Sequence, residues 1–156
     1  MINIQLILVA IDFSDLSARV LDYASRLASA WKAHVLVVHI VHDLSYFVGI
    51  YHTDTPMPEL QQRLESEAHE HLEALCQSQL EAGVSYETLV LTGRPVVSIH
   101  QLVRERSVDC LVLGAHSSDK PEHQLFGSTA ERLLHQISCP IFMIPPLQAS
   151  EFISHG

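Results

Sequence analysis

The sequence predicts an α/β chain: a single doubly wound domain whose five-stranded parallel sheet, order 3-2-1-4-5, carries helices on both faces. Three observations lead there. Apolar runs such as Leu6-Ile7-Leu8-Val9-Ala10-Ile11 and Val35-Leu36-Val37-Val38 are short, β-branched and nearly uninterrupted, as strands covered on both faces require. Segments of helical period separate them, so the elements alternate as βαβαβαβαβ, the pattern of a parallel sheet. With 156 residues, 47% hydrophobic and 17% charged, the chain has the size and apolar content of one packed domain.

The first strand spans residues 4–11 and ends at Asp12-Phe13-Ser14-Asp15, where Asp12 or Ser14 is suited to cap the next helix. That helix, about Leu16 to Trp31, shows an apolar stripe of Leu16, Val20, Tyr23/Ala24, Leu27 and Trp31. His34 to Val41 is the second strand. His42 to Pro58 has no clear period and reads as a long surface loop, a flap over a ligand. The second helix starts near Pro58 and runs to Ala82, with Leu60, Leu64, Ala68, Leu72, Leu75 and Gln79 on its inner face; Gly83 stops it. Val84 to Thr92 alternates more and reads as a strand nearer an edge. After Gly93-Arg94-Pro95 a third helix, Val96 to about Arg106, buries Val96, Ile99 and His100 or Val103. Val108 to Leu113 is the fourth strand, and the fourth helix begins at Gly127-Ser128-Thr129. Cys139 to Pro145 is the fifth strand, and its two flanking prolines suit a sheet edge. Residues 1–146 form the expected domain and 147–156 a flexible C-terminal tail.

The charge balance removes several function classes. The formal net charge is −9 and no Lys/Arg cluster stands out, which argues against nucleic-acid partners. No apolar run reaches the ~20 residues of a membrane span. Met1-Ile2-Asn3-Ile4 lacks a signal peptide's charged start and cleavage site. Cys76, Cys110 and Cys139 are odd in number, with no CxxC pair; they read as reduced thiols and place the chain in the cytoplasm. The 11 histidines include the close pairs His39/His42 and His69/His71. Neither pair has a third ligand at a recognisable spacing, and HExxH is absent, so surface or hydrogen-bonded histidines explain them better than a metal site.

Topology places the candidate site. In a sheet of order 3-2-1-4-5 the winding reverses between strands one and four, and ligands bind at the C-terminal strand ends there. Asp12 and Gly114 then face each other across one crevice. Gly127-Ser128-Thr129 opens a helix with backbone N–H groups and two hydroxyls, the chemistry that holds phosphate. Neither a P-loop nor a GxGxxG fingerprint is present. What stands instead is Gly114-x-x-Ser117, then residues 118–126, then Gly127-Ser128.

This pattern resembles the universal stress protein family, whose ATP-binding members carry G-x-x-G, nine residues, then G-[ST]. The similarity extends to the opening Leu8-Val9-Ala10-Ile11-Asp12-Phe13-Ser14, to Val37-Val38-His39-Ile40, to Gly93-Arg94-Pro95 and to Ser138-Cys139-Pro140-Ile141. The resemblance implies ATP (or AMP/ADP) in the crevice, with Mg2+ or Mn2+ held through Asp12. It implies that the Ile40 backbone reads the adenine edge against an apolar wall of Ala10, Ile11 and Leu113. It further implies that Gly114, His116 and Ser117 wrap the phosphates and that Gly127, Ser128 and Thr129 bind them at the helix start. Ser117 stands where the motif has its middle glycine, and a Cβ there carries a cost if the backbone needs a positive φ. Two readings stay open: a regulatory nucleotide-binding protein with at most slow ATP hydrolysis, and a non-nucleotide member acting as a dimeric interaction module. An enzyme on the same scaffold is conceivable, but no motif demands it. The apolar fifth strand at the edge invites pairing with a second copy, a homodimer.

Overall fold

A computed structural model describes residues 1–47, 49, 54–116 and 126–147. Five parallel strands form one sheet in the order β3-β2-β1-β4-β5: β1 Leu6–Ala10, β2 His34–Val41, β3 Tyr86–Thr92, β4 Cys110–Gly114 and β5 Ile141–Ile144. The helices among the described residues are α1 Ser17–Trp31, α2 Met57–Gln79, α3 Pro95–Glu105 and α4 Ser128–Gln136, with a 3-10 turn at Leu44–Phe47. The predicted strand order is the observed one. Edge positions for the third and fifth strands follow from it.

The continuous apolar runs have a simple cause. Alternate residues of one strand enter different cores. Ile7 and Val9 of β1 join Val35 and Val37 of β2 under Val20, Leu21 and Ala24 of α1 and Leu72 and Cys76 of α2. Leu8 joins Leu36, Val38 and Ile40 under Ile99, Leu102 and Val103 of α3 and Ala130 and Leu133 of α4. A strand with no solvent face has no position for a polar residue.

The inner face of α1 differs from the expected stripe. Tyr23 and Trp31 are 41% and 38% exposed, while Leu21 and Ala28 are buried. The side facing α2 uses small residues, and the buried Ser25 hydroxyl accepts the N–H of Glu81 at 2.8 Å. Close packing of the two helices selects size there, which a hydrophobic period does not register. On α2 the buried residues are Ala68, Leu72 and Cys76, so Cys76 takes the place expected of Gln79. Nor does a side chain cap α1: its N-cap is Leu16, and Asp12 serves the turn before it instead. In the region expected as an irregular loop, Leu44–Phe47 forms the 3-10 turn. Residues 48 and 50–53 of that loop, Ser117, and all of the predicted tail except Leu147 lie outside the described residues.

Cys76, Cys110 and Cys139 are all free thiols. Burial pushes the Cys76 thiol up to about 12, with the Glu73 carboxylate adding to it, and the Cys110 thiol up to about 11. Both behave as packed small hydrophobes.

Candidate functional site

At the end of β1 the chain leaves the sheet in a turn held by its own side chains. The Asp12 carboxylate Oδ1 accepts the Ser14 N–H at 2.9 Å and the Ser17 hydroxyl at 3.3 Å. Phe13 has a left-handed backbone, φ 61°. Its ring lies 4.2 Å from the His71 ring, 6° from parallel, and 4.2 Å from the His39 ring, tilted by 35°. His39 Nδ1 lies 2.7 Å from the Ile11 carbonyl oxygen. A carbonyl only accepts, so Nδ1 carries the hydrogen and Nε2 is the free base of the neutral ring. Burial holds the His39 pKa below its ordinary value of 6.5. The Ile11 hydrogen bond and the Asp12 charge oppose that shift, and His42 and His71 add to it.

The opposite wall leaves β4 through Gly114, Ala115 and His116 and re-enters at α4. Gly114 packs closely under α1: a Cβ there would stand 2.7 Å from Leu16 Cδ2, so that side chain would have to shift to admit one. Gly127 donates its N–H to the Ala115 carbonyl at 2.7 Å, which seats the start of α4 against the end of β4. That N–H, expected to face phosphate, is therefore engaged by the fold itself. No side chain caps α4, and Ser128 is exposed.

Between these walls lies a cavity of about 600 Å³ at the C-terminal ends of β1, β2 and β4. Of the predicted site residues, Ala10, Ile11, Asp12, Ile40, Leu113, Gly114, His116 and Thr129 line it together. Gly127 and Ser128 are not among the lining residues, and Ser117 lies outside the described ones.

The lining also contains residues that sequence reasoning did not assign to it: Ser14, Ser17, His39, His42, Leu44 and Leu64, with Pro95 and Ile99 from α3. Two of these had a signal. His39 and His42 stand out as a close pair, expected to be surface or hydrogen-bonded rather than metal-ligating, and His39 is hydrogen-bonded to Ile11. Leu44 and Leu64 are brought in by Gln61, whose Oε1 accepts the Leu44 N–H at 2.8 Å while its Nε2 donates to the His42 carbonyl at 3.3 Å. Among the described residues the lining holds no lysine or arginine, and no group of three or more His, Cys, Asp and Glu is arranged to hold a metal ion.

A model of the universal stress protein family matches residues 3–145. The chain belongs to that family. Universal stress protein YxiE of Bacillus subtilis is 29% identical over 142 residues, covering 88% of this chain and 96% of its own. Universal stress protein MJ0531 of Methanocaldococcus jannaschii is 28% identical over 138 residues, covering 88% and 80%. Among solved structures, UspA from Lactobacillus plantarum superposes with a TM-score of 0.72 at 26% identity, covering 90% of this chain and 97% of that one. The hypothetical protein MJ0577 reaches a TM-score of 0.79 at 18% identity, covering 96% and 100%; at that identity the likeness concerns the fold. The same holds for a universal stress protein of Archaeoglobus fulgidus in complex with dAMP, TM-score 0.62 at 20% identity, covering 92% and 99%. It holds too for a universal stress protein in complex with cAMP, TM-score 0.59 at 21% identity, covering 92% and 98%. Among the described residues no helix is long and apolar enough to cross a membrane.

Proposed function

We propose that this universal stress protein binds an adenine nucleotide, ATP or its mono- or diphosphate, in the crevice between β1 and β4, and that its role is regulatory. The supporting observation is the 600 Å³ cavity at the reversal of strand order, lined jointly by Asp12, Ile40, Leu113, Gly114, His116 and Thr129. That volume lies within the range of small-molecule sites, and the switch point is where such sheets bind ligands. The cavity is mainly apolar toward Val38, Ile99 and Leu133, which suits a base, and polar toward Asp12 and Thr129, which suits ribose and phosphate. The first-turn N–H groups of α4 lack intrahelical partners and attract anions. Family members solved with dAMP and with cAMP agree with this reading.

In this proposal the Ile40 backbone meets the adenine edge, with Ala10, Ile11 and Leu113 against the base. Thr129, Ser128 and the β4 exit, including His116 and Ser117, take the phosphates. Asp12 is a lone carboxylate, so a Mg2+ or Mn2+ would arrive with the nucleotide and take most of its other ligands from phosphate and water. Hydrolysis would be slow: among the described lining residues no arginine or lysine stands ready to offset transition-state charge. We further propose a cytoplasmic homodimer formed through the β5 edge, where Phe142 is 39% exposed.

Equilibrium titration of the full chain with ATP and Mg2+ tests the reading. Saturable binding is expected. Absence of heat and of any spectral change at millimolar nucleotide would overturn it and favour a dimeric interaction module. Sedimentation showing only a 17.4 kDa species would remove the dimer.

A further inference from the structure

We propose that Phe13 is the positioning residue of this site: clamped between His39 and His71, its ring fixes the turn that presents the Asp12 carboxylate to the cavity. For the ligand it serves, the proposal rests on the nucleotide reading above.

Three observations converge. First, Phe13 occupies the left-handed region at φ 61°, where glycine or asparagine is ordinary and a bulky aromatic is an outlier. Such a conformation persists only where its surroundings over-determine it, and it clusters at functional sites. Second, the surroundings do so. One ring face stacks on His71 of α2 at 4.2 Å and 6°, and His39 of β2 meets the ring at 4.2 Å. His39 is itself tied to Ile11, two residues before Phe13. Third, the residue next to this clamp is the carboxylate that lines the cavity. Asp12 is held on its other side by the Ser14 N–H and the Ser17 hydroxyl. The aim of Asp12 is thus fixed from both directions, and the fixing passes through a ring that is not itself among the cavity-lining residues.

A purely structural role would be that of an apolar plug, since Phe13 also packs against the core beneath α1 and α2. The two roles separate by shape. Phe13→Leu keeps the apolar bulk but has no flat face to lie between two imidazoles. Phe13→Gly removes the backbone strain along with the ring. Phe13→Tyr keeps the stack. His71→Ala removes one stacking partner from an exposed position of α2.

The experiment is amide NMR of the ligand-free full chain, followed by titration with ATP and Mg2+. Hydrogen exchange of the Ser14 amide reports its hydrogen bond to Asp12, apart from any ring-current shift caused by the neighbouring substitution. Expected: Phe13→Leu and His71→Ala each lower the hydrogen-exchange protection of the Ser14 amide relative to the unaltered chain, and Phe13→Leu weakens nucleotide binding about 10-fold, as loss of a supporting contact typically does. Phe13→Tyr restores both. Asp12→Asn added to Phe13→Leu costs little more than either alone, because both remove the same aimed carboxylate. Unchanged exchange protection of the Ser14 amide in Phe13→Leu and His71→Ala overturns the proposal. So does unchanged affinity in Phe13→Leu. If the unaltered protein binds no nucleotide, the function above fails, while the Ser14 comparison in the ligand-free chain still decides the role of Phe13.

Discussion

The turn after β1 and the entrance to α4 face one cavity, yet they are held in place differently. On the β1 side, side chains satisfy one another: Asp12 with Ser14 and Ser17, Phe13 with His39 and His71, His39 with Ile11. On the α4 side, among the described residues, two ties run backbone to backbone, Gly127 N–H to Ala115 and Glu131 N–H to Gly127. There Ser128 is exposed and no side chain caps the helix. One wall is finished before a ligand arrives. The other has first-turn N–H groups without intrahelical partners. A nucleotide would therefore add more to the order of α4 than to the order of the β1 turn.

If α4, beyond the backbone tie at Gly127, is held mainly by packing, its core anchor should carry a large effect. Leu133 is fully buried beneath it. Leu133→Ala should cost about 2–5 kcal/mol in urea unfolding. A loss below about 1 kcal/mol would show that α4 is held by something else, and the contrast between the walls would fail.

The walls meet at one point, where Leu16 at the foot of α1 presses on Gly114. Gly114→Ala should cost about 1–3 kcal/mol, because the new Cβ lands on Leu16 Cδ2. Trimming the obstacle should relieve it. In a double-mutant cycle with Leu16→Ala the two losses should be sub-additive by about 0.5–3 kcal/mol. Strict additivity would mean that Gly114 is needed for another reason.

This contact also shows what the sequence could and could not announce. Gly114 was legible as a site residue because it follows an apolar strand at the reversal of strand order. Its packing role was not, since Leu16 reaches it only once α1 lies on the sheet. The strand order was legible because β1 and β4 are wholly apolar and β2 is apolar between His34 and His39, as strands covered on both faces are. Of the stripe expected on α1, Leu16, Val20 and Ala24 are buried and Leu27 packs on the core, but Tyr23 and Trp31 are not buried, for the same kind of reason. Periodicity favours Tyr23 and Trp31, but the approach of α2 favours Ala28 and Ser25. Leu64, Pro95 and Ile99 reach the cavity from α2 and α3, whose rotation over the sheet no local pattern encodes. Phe13 was quoted only as part of a motif, because a left-handed φ and a ring between two imidazoles are tertiary facts.

Asp12 allows the pre-built wall to be separated from the ligand it serves. Asp12→Asn keeps an oxygen that accepts from Ser14 and removes the charge. Its stability should stay within about 0.5 kcal/mol of the unaltered chain, as one good capping acceptor replaces another, while Asp12→Ala loses about 1 kcal/mol. Nucleotide affinity in the presence of Mg2+ should fall about 10-fold or more in both. Thermal unfolding with and without ATP reads both effects in one experiment. Equal destabilisation by Asn and Ala would mean that the charge, not the acceptor, holds the turn.

The smallest expected effect comes from His39, and it tests whether the β1 wall is packed as tightly as its contacts suggest. Burial lowers the folded-state pKa of His39 below 6.5, the Ile11 bond and Asp12 opposing, His42 and His71 assisting. As pH falls below 6.5 the unfolded chain therefore takes up this proton before the folded one does. More protons on the unfolded state means that stability rises with pH. The contribution is whole above 6.5 and is lost on acidification toward the depressed folded value. His39→Asn places an amide donor near the position of Nδ1 and does not titrate. Urea midpoints measured from pH 8 to pH 5 should fall more steeply for the unaltered chain than for His39→Asn below about 6.5, the ordinary histidine value, and run parallel above it. Parallel curves throughout would mean that water reaches the ring as freely as in the unfolded chain. A wall that open could not hold Phe13 in a left-handed backbone, and the distinction between a finished wall and a waiting one would have to be given up.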